Sequence, residues 1–454
     1  MNVMKITPKA LWLRIKYPVP ISIKLLMNYC YQSWKRYAAR LEYNLIDYQN
    51  HRIPWTMNTF RRTIFITMAA VINISFLISL VIGPHLIGLP TSLSDMDRIL
   101  KINGCRILAI YAVCNLIILE YAWFGVFKSI LRYECGANDL FIEYFHYDDR
   151  HLHDDIRNHL SRFIAIADIL ADMIHKILTF GLIIAFILIV YGTIVLFVNG
   201  QIHQMNIILF IMIAIFVFIH TSFTFGQLFI SMKHLIFTIE FFCLQFKQLF
   251  QKLDDILRRN RHYFQRQRRQ QQRREHSNII FTERMFWYYF HRPYLKLHDD
   301  IAKLNHSLRS IFLSIEMISK CSIIFSSIFY GQQTSMNIFN SLFILLLMSA
   351  FISNTAIYSK VSSLPSYNQL CWHWLCDYNA RKQYLRRNNE YHDIMINRLS
   401  NQTIRMNLFI QTMSMNQFGM TCGQAFFITK YKYMELFLLN FTLVLLFYKK
   451  ICLF

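Results

Sequence analysis

Residues 206–230 read NIILFIMIAIFVFIHTSFTFGQLFI, and this stretch decides the fold. It contains no lysine, arginine, aspartate or glutamate, and its length matches the roughly 20 apolar residues that a helix needs to cross a ~30 Å hydrocarbon core. A segment within lipid has to satisfy its own backbone hydrogen bonds, so an α-helix is the expected conformation. The stretch therefore predicts a transmembrane helix.

Six further runs have a similar character, and they extend the prediction over the whole chain. They are Thr63–Gly83, Ile107–Phe127, Ile177–Val198, Leu308–Tyr330, Asn337–Ile357 and Tyr433–Tyr448. The composition agrees, because 55% of the residues are hydrophobic and only 16% are charged, against about 25% charged in a typical soluble chain. We expect an all-α, polytopic membrane protein with seven transmembrane helices. The last run is the shortest, and we expect its helix to reach back to about Phe427.

The loops between these runs alternate in length and in charge. Of the 48 lysines and arginines, 41 lie in the N-terminal region or in the three long loops, whereas the short loops and the tail hold five. Basic loops face the cytoplasm, so the N-terminus is expected inside the cell and the C-terminus outside. This orientation is opposite to that of G-protein-coupled receptors, and it predicts a multi-pass protein of the plasma membrane.

The alternation also predicts how the chain is organised. The expected parts are a cytoplasmic N-terminal region 1–62, transmembrane helices 1–4 over 63–230, a cytoplasmic anchor region 231–307, helices 5–6 over 308–357, a second anchor region 358–432, and helix 7 with a short tail over 433–454. Within the first anchor region, helical periodicity extends the fourth and fifth spans through Leu235–Leu257 and Arg284–Ser307. The Arg- and Gln-rich insert Arg261–Glu275 could bind nucleic acid or anionic lipid, but its composition favours a solvated insert.

Signals for catalysis are weak. The cluster His146–His159 carries imidazole and carboxylate groups that suit iron, but its one candidate partner, His298 with Asp299 and Asp300, lacks an adjacent histidine pair. A solvated helix face is the favoured interpretation. The ten cysteines are interpreted as packing residues. We expect no catalytic residues, no metal, no cofactor and no nucleic-acid partner.

Polar groups inside the spans are more informative, because their burial in lipid is costly. The candidates are Glu120, His220, Glu316 and Lys320. Glu316 and Lys320 are four residues apart and share a helix face, so they are expected to pair. Such groups form either an ion path or gating network, or a buried pair that fixes the helix register; the second interpretation is favoured.

Aromatic residues crowd the outer halves of several predicted helices, where they could line an apolar pocket for a small organic ligand. The candidate pocket residues are Tyr111, Tyr191, Phe210, Phe325, Phe329 and Phe339. Aromatic side chains in membrane helices also serve as packing residues or as interface belts, so the prediction concerns the set more than any one residue.

The C-terminal sequence carries a resemblance. Residues 423–429 read GQAFFIT, a polar turn follows at Lys430–Lys432, and the final span contains Asn440-Phe441, five apolar residues and Phe447-Tyr448. This spacing resembles the C-terminal signature of the arthropod gustatory and odorant receptor superfamily, in which Thr-Tyr, five apolar residues and Gln-Phe occupy the last helix. A divergent gustatory receptor is the best fit, with the chelicerate receptors as the candidate branch of the superfamily.

The resemblance implies a ligand-gated, non-selective cation channel that senses tastants or odorants in sensory transduction. Four subunits, identical or mixed with related ones, would surround one pore lined by the last helix. Carried onto this chain, the pore and gate residues are Asn440, Val444, Phe447 and Tyr448. Phe447 replaces the usual glutamine and makes the pore drier, and Lys449 and Lys450 at the pore mouth are expected to repel cations.

Two alternatives stay open from the sequence. One is a seven-helix membrane receptor that couples to a cytoplasmic partner such as a G protein. The other is a membrane enzyme or transporter.

Overall fold

The computed structural model describes residues 45–53, 57–82, 105–145, 204–267, 284–331, 338–388, 393–416 and 418–439, together with single positions between 159 and 198. The predicted all-α class is confirmed, because helices account for nearly all of these residues. They are α1 (Leu45–Gln49), α2 (Met57–Ile82), α3 (Cys105–Leu131), α4 (Gly136–Phe145), α5 (Gln204–Gln267), α6 (Arg292–Gly331), α7 (Ile338–Val361), α8 (Ser363–Asn388), α9 (Asp393–Met415) and α10 (430–439). The described positions between 159 and 198 are also helical.

Two helices in the described part are long and apolar enough to cross a membrane. They are Ile107–Leu131 and the 48-residue helix Arg284–Gly331, which contains a π-helical turn at Trp287–His291 and continues as α6. Two shorter apolar helices cover Ile64–Ile78 and Ile211–Ser222. The predicted number of seven spans is therefore not confirmed.

The two predicted helical extensions are present. Helix α5 runs without interruption for 64 residues, so the apolar stretch 206–230 and the segment Leu235–Leu257 belong to one helix. Residues 284–331 are likewise continuously helical. The helical periodicity of the sequence after residue 230 and before residue 308 therefore predicted both extensions correctly.

The chain divides into two compact units. Unit 1 comprises Met1–Thr238, Ser310–Ala356 and Leu436–Phe454, and unit 2 comprises Ile239–Arg309 and Ile357–Glu435. Within unit 1, α2 packs against α3. Within unit 2, α8 packs against α9, and Asn379 of α8 donates a hydrogen bond to Asn407 of α9.

Aromatic side chains form the core of unit 2. Phe246 is fully buried and packs its ring against Phe418 at 4.5 Å between centroids, against Tyr294 at 6.3 Å and against Tyr367 at 6.1 Å. Phe290 is also fully buried and stacks on Tyr294 at 5.8 Å. Such buried rings contribute large apolar areas together with specific edge and stacked geometries.

Helix α3 ends where Tyr133 adopts a left-handed backbone conformation, with φ of 56°. The amide of Glu134 then bonds to the carbonyl of Ser129, which satisfies a helix-terminal acceptor. Glycine usually occupies such a position, but here the tyrosine ring is held by Tyr48 at 5.7 Å, and its hydroxyl accepts a hydrogen bond from the amide of Ile53. These contacts offset the backbone strain and attach the segment 45–53 to the end of α3.

A short β-hairpin precedes the last helix, and it corrects one prediction. Strands β1 (Thr421–Cys422) and β2 (Phe426–Phe427) pair antiparallel, so the last helix does not reach back to Phe427 but begins at residue 430. The Thr429 hydroxyl accepts a hydrogen bond from the amide of Lys432, as expected of an N-cap.

The hairpin is fixed by contacts within unit 2. The Asn305 side-chain oxygen accepts hydrogen bonds from the amide and the hydroxyl of Thr421 at 2.7 and 3.1 Å. The amide of Gly423 donates to the carbonyl of Arg309 at 2.8 Å, and the Tyr358 hydroxyl donates to the sulfur of Cys422 at 3.3 Å. Helices α6 and α7 therefore both hold the segment that leads into α10.

We predict that Gly419→Ala destabilises unit 2 by about 1–2 kcal/mol, because an added methyl group in this tight site forces its neighbours to move. A Cβ atom there would lie 2.7 Å from the Phe427 ring and 3.0 Å from Pro365, and the φ of 156° suits glycine. The matched control is Gly181→Ala, where a Cβ would meet nothing within 4 Å. Thermal unfolding of both variants measures the difference, and equal melting temperatures would contradict the expectation.

Candidate functional site: a polar and aromatic cluster between two helices

Helices α3 and α6 lie antiparallel, and two contacts fix their register. The Tyr111 hydroxyl is 2.8 Å from the Ser322 hydroxyl, and Gly125, farther along α3, faces Ser310, which comes earlier in α6. A Cβ atom at Gly125 would lie 3.1 Å from the Ser310 oxygen, so the missing side chain permits the close approach.

Three of the six predicted pocket residues lie together at this contact. The rings of Tyr111 and Phe325 meet edge to face at 5.7 Å between centroids. Phe329 is fully buried, packs with Ile107 and is flanked by Phe325. Three of the six predicted pocket residues therefore pack together between α3 and α6, and the predicted pocket stays a prediction.

The hydroxyl groups at this contact form a directed chain. Ser322 donates to the carbonyl of Ile318 at 2.7 Å, so its oxygen is left to accept from the Tyr111 hydroxyl at 2.8 Å. The side chain of Asn115 also hydrogen-bonds to the Tyr111 phenol, and the amide nitrogen is the group that can donate there. Each group therefore donates its hydrogen bond to the next, from Asn115 to Tyr111, then to Ser322 and finally to a backbone carbonyl of α6.

Two buried polar atoms of α3 and α6 have no hydrogen-bond partner among the described residues. The side-chain oxygen of Asn115 is buried and has no hydrogen-bond partner among the described residues, and the same holds for the hydroxyl of Ser319. Counted from the contact of Tyr111 with Ser322, the antiparallel register brings Asn115 to about the same level along the helices as Ser319. Unpartnered buried oxygens are costly, and they are the groups that a ligand carrying a hydrogen-bond donor would satisfy.

Asn115, Ser319 and Ser322 were not among the predicted site residues. The sequence does contain a pattern that indicates the two serines. Ser319, Ser322 and Ser326 recur every three to four residues and so lie on one face of α6. All three serines are buried. A search of the spans for hydroxyl and amide groups at helical spacing, in addition to charges and aromatic residues, would have found them.

The other predicted pocket residues do not join this cluster in the described structure. Tyr191 is 63% exposed. Phe210 and Phe339 fall in α5 and α7, but their side chains lie outside the described residues. The same applies to the pore, gate and pore-mouth positions Asn440, Val444, Phe447, Tyr448, Lys449 and Lys450, which follow the last described residue of α10.

The predicted pair of Glu316 and Lys320 is confirmed, with 3.5 Å between the carboxylate and the ammonium. The second oxygen of Glu316 accepts a hydrogen bond from the Asn354 amide of α7 at 2.7 Å. Glu316 and Asn354 are buried, so this bond ties α6 to α7 within unit 1.

The other two polar candidates, Glu120 and His220, also contact each other. The His220 ring nitrogen Nε2 lies 3.0 Å from the carboxylate of Glu120, and Nδ1 lies 3.0 Å from the side-chain nitrogen of Asn73. The sequence marked each residue as costly to bury, but it did not show that they form one network.

Cys243 and Cys371 are buried and have the surroundings of packing residues. Burial raises the pKa of the Cys371 thiol to about 12, and it raises that of Cys243 to about 11. Such thiols stay protonated at neutral pH and are poor nucleophiles. Within the described residues, no group of three or more histidine, cysteine, aspartate or glutamate side chains could hold a metal ion. Of the histidine cluster, His159 alone is described.

Comparison with known proteins gives no assignment. No protein-family model matches this chain, and its sequence matches no curated protein.

Proposed function

We propose that the chain is a chemosensory receptor of the plasma membrane that acts as a ligand-gated, non-selective cation channel. The observation that carries the ligand-binding part is the cluster between α3 and α6. There Tyr111, Phe325 and Phe329 pack together at a hydrogen-bonded chain that begins at Asn115, whose side-chain oxygen has no partner among the described residues. Small-molecule sites have this composition, with apolar walls and a few placed polar groups.

A membrane location is supported by where unit 1 places its polar and apolar groups. Val71, Tyr121 and Phe124 expose 58, 61 and 64% of their surface, while Asn73 and His220 are almost fully buried. A protein surrounded by lipid can expose apolar side chains and uses buried polar groups to join its helices. The two long apolar helices of the described part agree with this location.

The cluster also indicates what kind of ligand it would take. Aromatic walls favour a small, mostly apolar molecule, and the free acceptor on Asn115 favours a ligand with a hydroxyl or amine proton to donate. Screening small alcohols beside their methyl ethers tests this in cells that express the receptor. An agonist is expected to lose about tenfold in potency on methylation, which corresponds to roughly 1.4 kcal/mol.

We predict that Tyr111→Phe raises the agonist concentration for half-maximal current about 5- to 15-fold. The substitution keeps the ring and removes one hydrogen-bonding group, worth about 1–1.5 kcal/mol. Tyr121→Phe is the matched control, because Tyr121 lies on the same helix and is 61% exposed. Equal potency shifts in the two variants would exclude the cluster as the ligand site.

The channel part of the proposal is tested at the last helix, at positions that follow the described residues. Val444→Ala is expected to raise the basal current, because a smaller side chain loosens a hydrophobic constriction that closes by excluding water. Replacing both Lys449 and Lys450 by glutamate is expected to increase cation conductance. Whole-cell recording measures both, and unchanged currents in a conducting assembly would remove these residues from the pore.

The same proposal requires a cytoplasmic N-terminus and an extracellular C-terminus. Epitope tags at the two ends of the chain, probed in intact cells, measure this orientation directly. A tag that is accessible at residue 1 and protected at residue 454 would contradict it. That result would favour a receptor that signals through a cytoplasmic partner.

A further inference from the structure

Three helices of unit 1 meet at His220, whose side chain is 1% exposed. Its Nε2 lies 3.0 Å from the Glu120 carboxylate of α3, and its Nδ1 lies 3.0 Å from the side-chain nitrogen of Asn73 of α2. The same Asn73 nitrogen donates to the Thr221 hydroxyl at 3.3 Å. Both ring nitrogens of a buried histidine are therefore engaged, each by a different helix.

The partners fix the protonation of the ring in this arrangement. An amide nitrogen can only donate, so Nδ1 accepts from Asn73 and the ring proton sits on Nε2, directed at Glu120. Thr224 lies 3.4 Å from Nε2, but its hydroxyl donates to the carbonyl of His220 at 2.9 Å and so is not available to donate to the ring. An imidazole that carries this single proton is uncharged.

Asn73 and His220 can also form a second arrangement of hydrogen bonds. The side-chain oxygen of Asn73 is buried and has no partner among the described residues. Rotating the amide by half a turn would place this oxygen where the nitrogen now lies. It would then accept from a protonated Nδ1 and from the Thr221 hydroxyl, which can donate as well as accept. His220 keeps both of its hydrogen bonds in the change, and the Asn73 nitrogen takes the place of the Asn73 oxygen as the atom without a partner among the described residues.

We propose that Asn73, His220 and Glu120 form a buried proton-binding site that has two hydrogen-bonded states. A proton from water binds Nδ1, the Asn73 amide turns, and the bond from Nε2 to Glu120 is kept. With Glu120 ionised, the charge of the histidine–glutamate pair changes from −1 to 0. Glu120 is the titratable group that faces the ring from α3, and α2 contributes the neutral Asn73.

The proton taken up changes how the three helices are joined. In the neutral state, α2 and α5 are joined by a bond between uncharged groups. In the protonated state, charge-assisted bonds of the imidazolium reach both α2 and α3, and such bonds are roughly twice as strong. The site therefore links the packing of α2, α3 and α5 to proton concentration. This inference does not rest on the proposed channel activity.

The experiment uses the full-length chain in lipid bilayers with 15N-labelled histidine, followed by magic-angle-spinning NMR between pH 4.5 and 9. The His220 signals are identified by their loss in His220→Gln. They are expected to change from the Nε2–H tautomer to the imidazolium in one titration step. The exposed His159 serves as the reference in every sample.

Two substitutions of Asn73 give opposite expected results. Asn73→Asp supplies a charged acceptor for the Nδ1 proton, so the imidazolium signal of His220 should appear at a higher pH than in the wild type. Asn73→Leu supplies no acceptor for the Nδ1 proton, so this signal should appear at a lower pH. Shifts in the same direction would overturn the proposal, and so would a wild-type His220 that keeps one form throughout. If a variant fails to fold, the proposal is tested by the wild-type protein alone, through the change of the His220 NMR signals between pH 4.5 and 9.

Discussion

Replacing Phe246 by alanine is expected to lower the free energy of unfolding of unit 2 by about 3–5 kcal/mol, the largest effect of any single substitution considered for stability. The ring is fully buried and contacts Phe418, Tyr294 and Tyr367, so its removal leaves a cavity and ends three ring contacts at once. Denaturant titration followed by tryptophan fluorescence measures the loss, since Trp287, Trp372 and Trp374 lie in the same unit.

The control for this substitution is Tyr288→Ala. Tyr288 is also an aromatic residue of unit 2, but it is 60% exposed and packs beside Tyr289 near the surface. Its truncation is expected to cost well under about 1 kcal/mol, as is usual for surface positions. A similar loss for Phe246→Ala and Tyr288→Ala would show that Phe246 is not central to the packing of unit 2.

The second large effect is expected at Lys360. Its ammonium lies 3.0 Å from the carboxylate of Glu240, whose side chain is 5% exposed, while that of Lys360 is 54% exposed. Lys360→Ala removes this cation and leaves a buried carboxylate, which costs about 3–5 kcal/mol when both partners are buried. Water reaches one side of this pair, so we expect a loss of about 2 kcal/mol in the same denaturant titration.

A double-mutant cycle separates the buried charge from the lost lysine. Adding Glu240→Gln to Lys360→Ala removes the charge and should recover about half of the lost stability or more. Lys303→Ala is the control, because Lys303 and its partner Asp299 are both more than half exposed and such pairs contribute little. Failure of the double variant to recover stability would mean that Lys360 acts through its hydrocarbon chain instead.

The sequence predicted the helices well because the signal for a long helix is local. The apolar stretch 206–230 and the periodic segment Leu235–Leu257 each favour helix, and α5 contains both. The hairpin at Thr421–Phe427 could not be predicted in this way. Its strands have two residues each, and a short apolar run such as AFFI suits a helix or a strand equally. Contacts from Asn305 and Arg309, far away in the sequence, decide between them.

The candidate site was predictable only in part for the same reason. Tyr111, Phe325 and Phe329 stood out because aromatic residues are individually conspicuous in a predicted span. Asn115 and Ser319 matter only through their positions opposite each other, which depend on the register of α3 and α6. Asn73 and His220 are 147 residues apart, and their hydrogen bond leaves no local pattern in the chain.

The hairpin also fixes the start of the last described helix. It holds the beginning of α10 to α6 through Asn305 and Arg309, and to α7 through Tyr358. A helix that is held at its first turn can shift along its own axis only if the residues that hold this turn also shift. The hairpin therefore sets where α10 begins, and a displacement of Asn305, Arg309 or Tyr358 would be passed to the first turn of that helix.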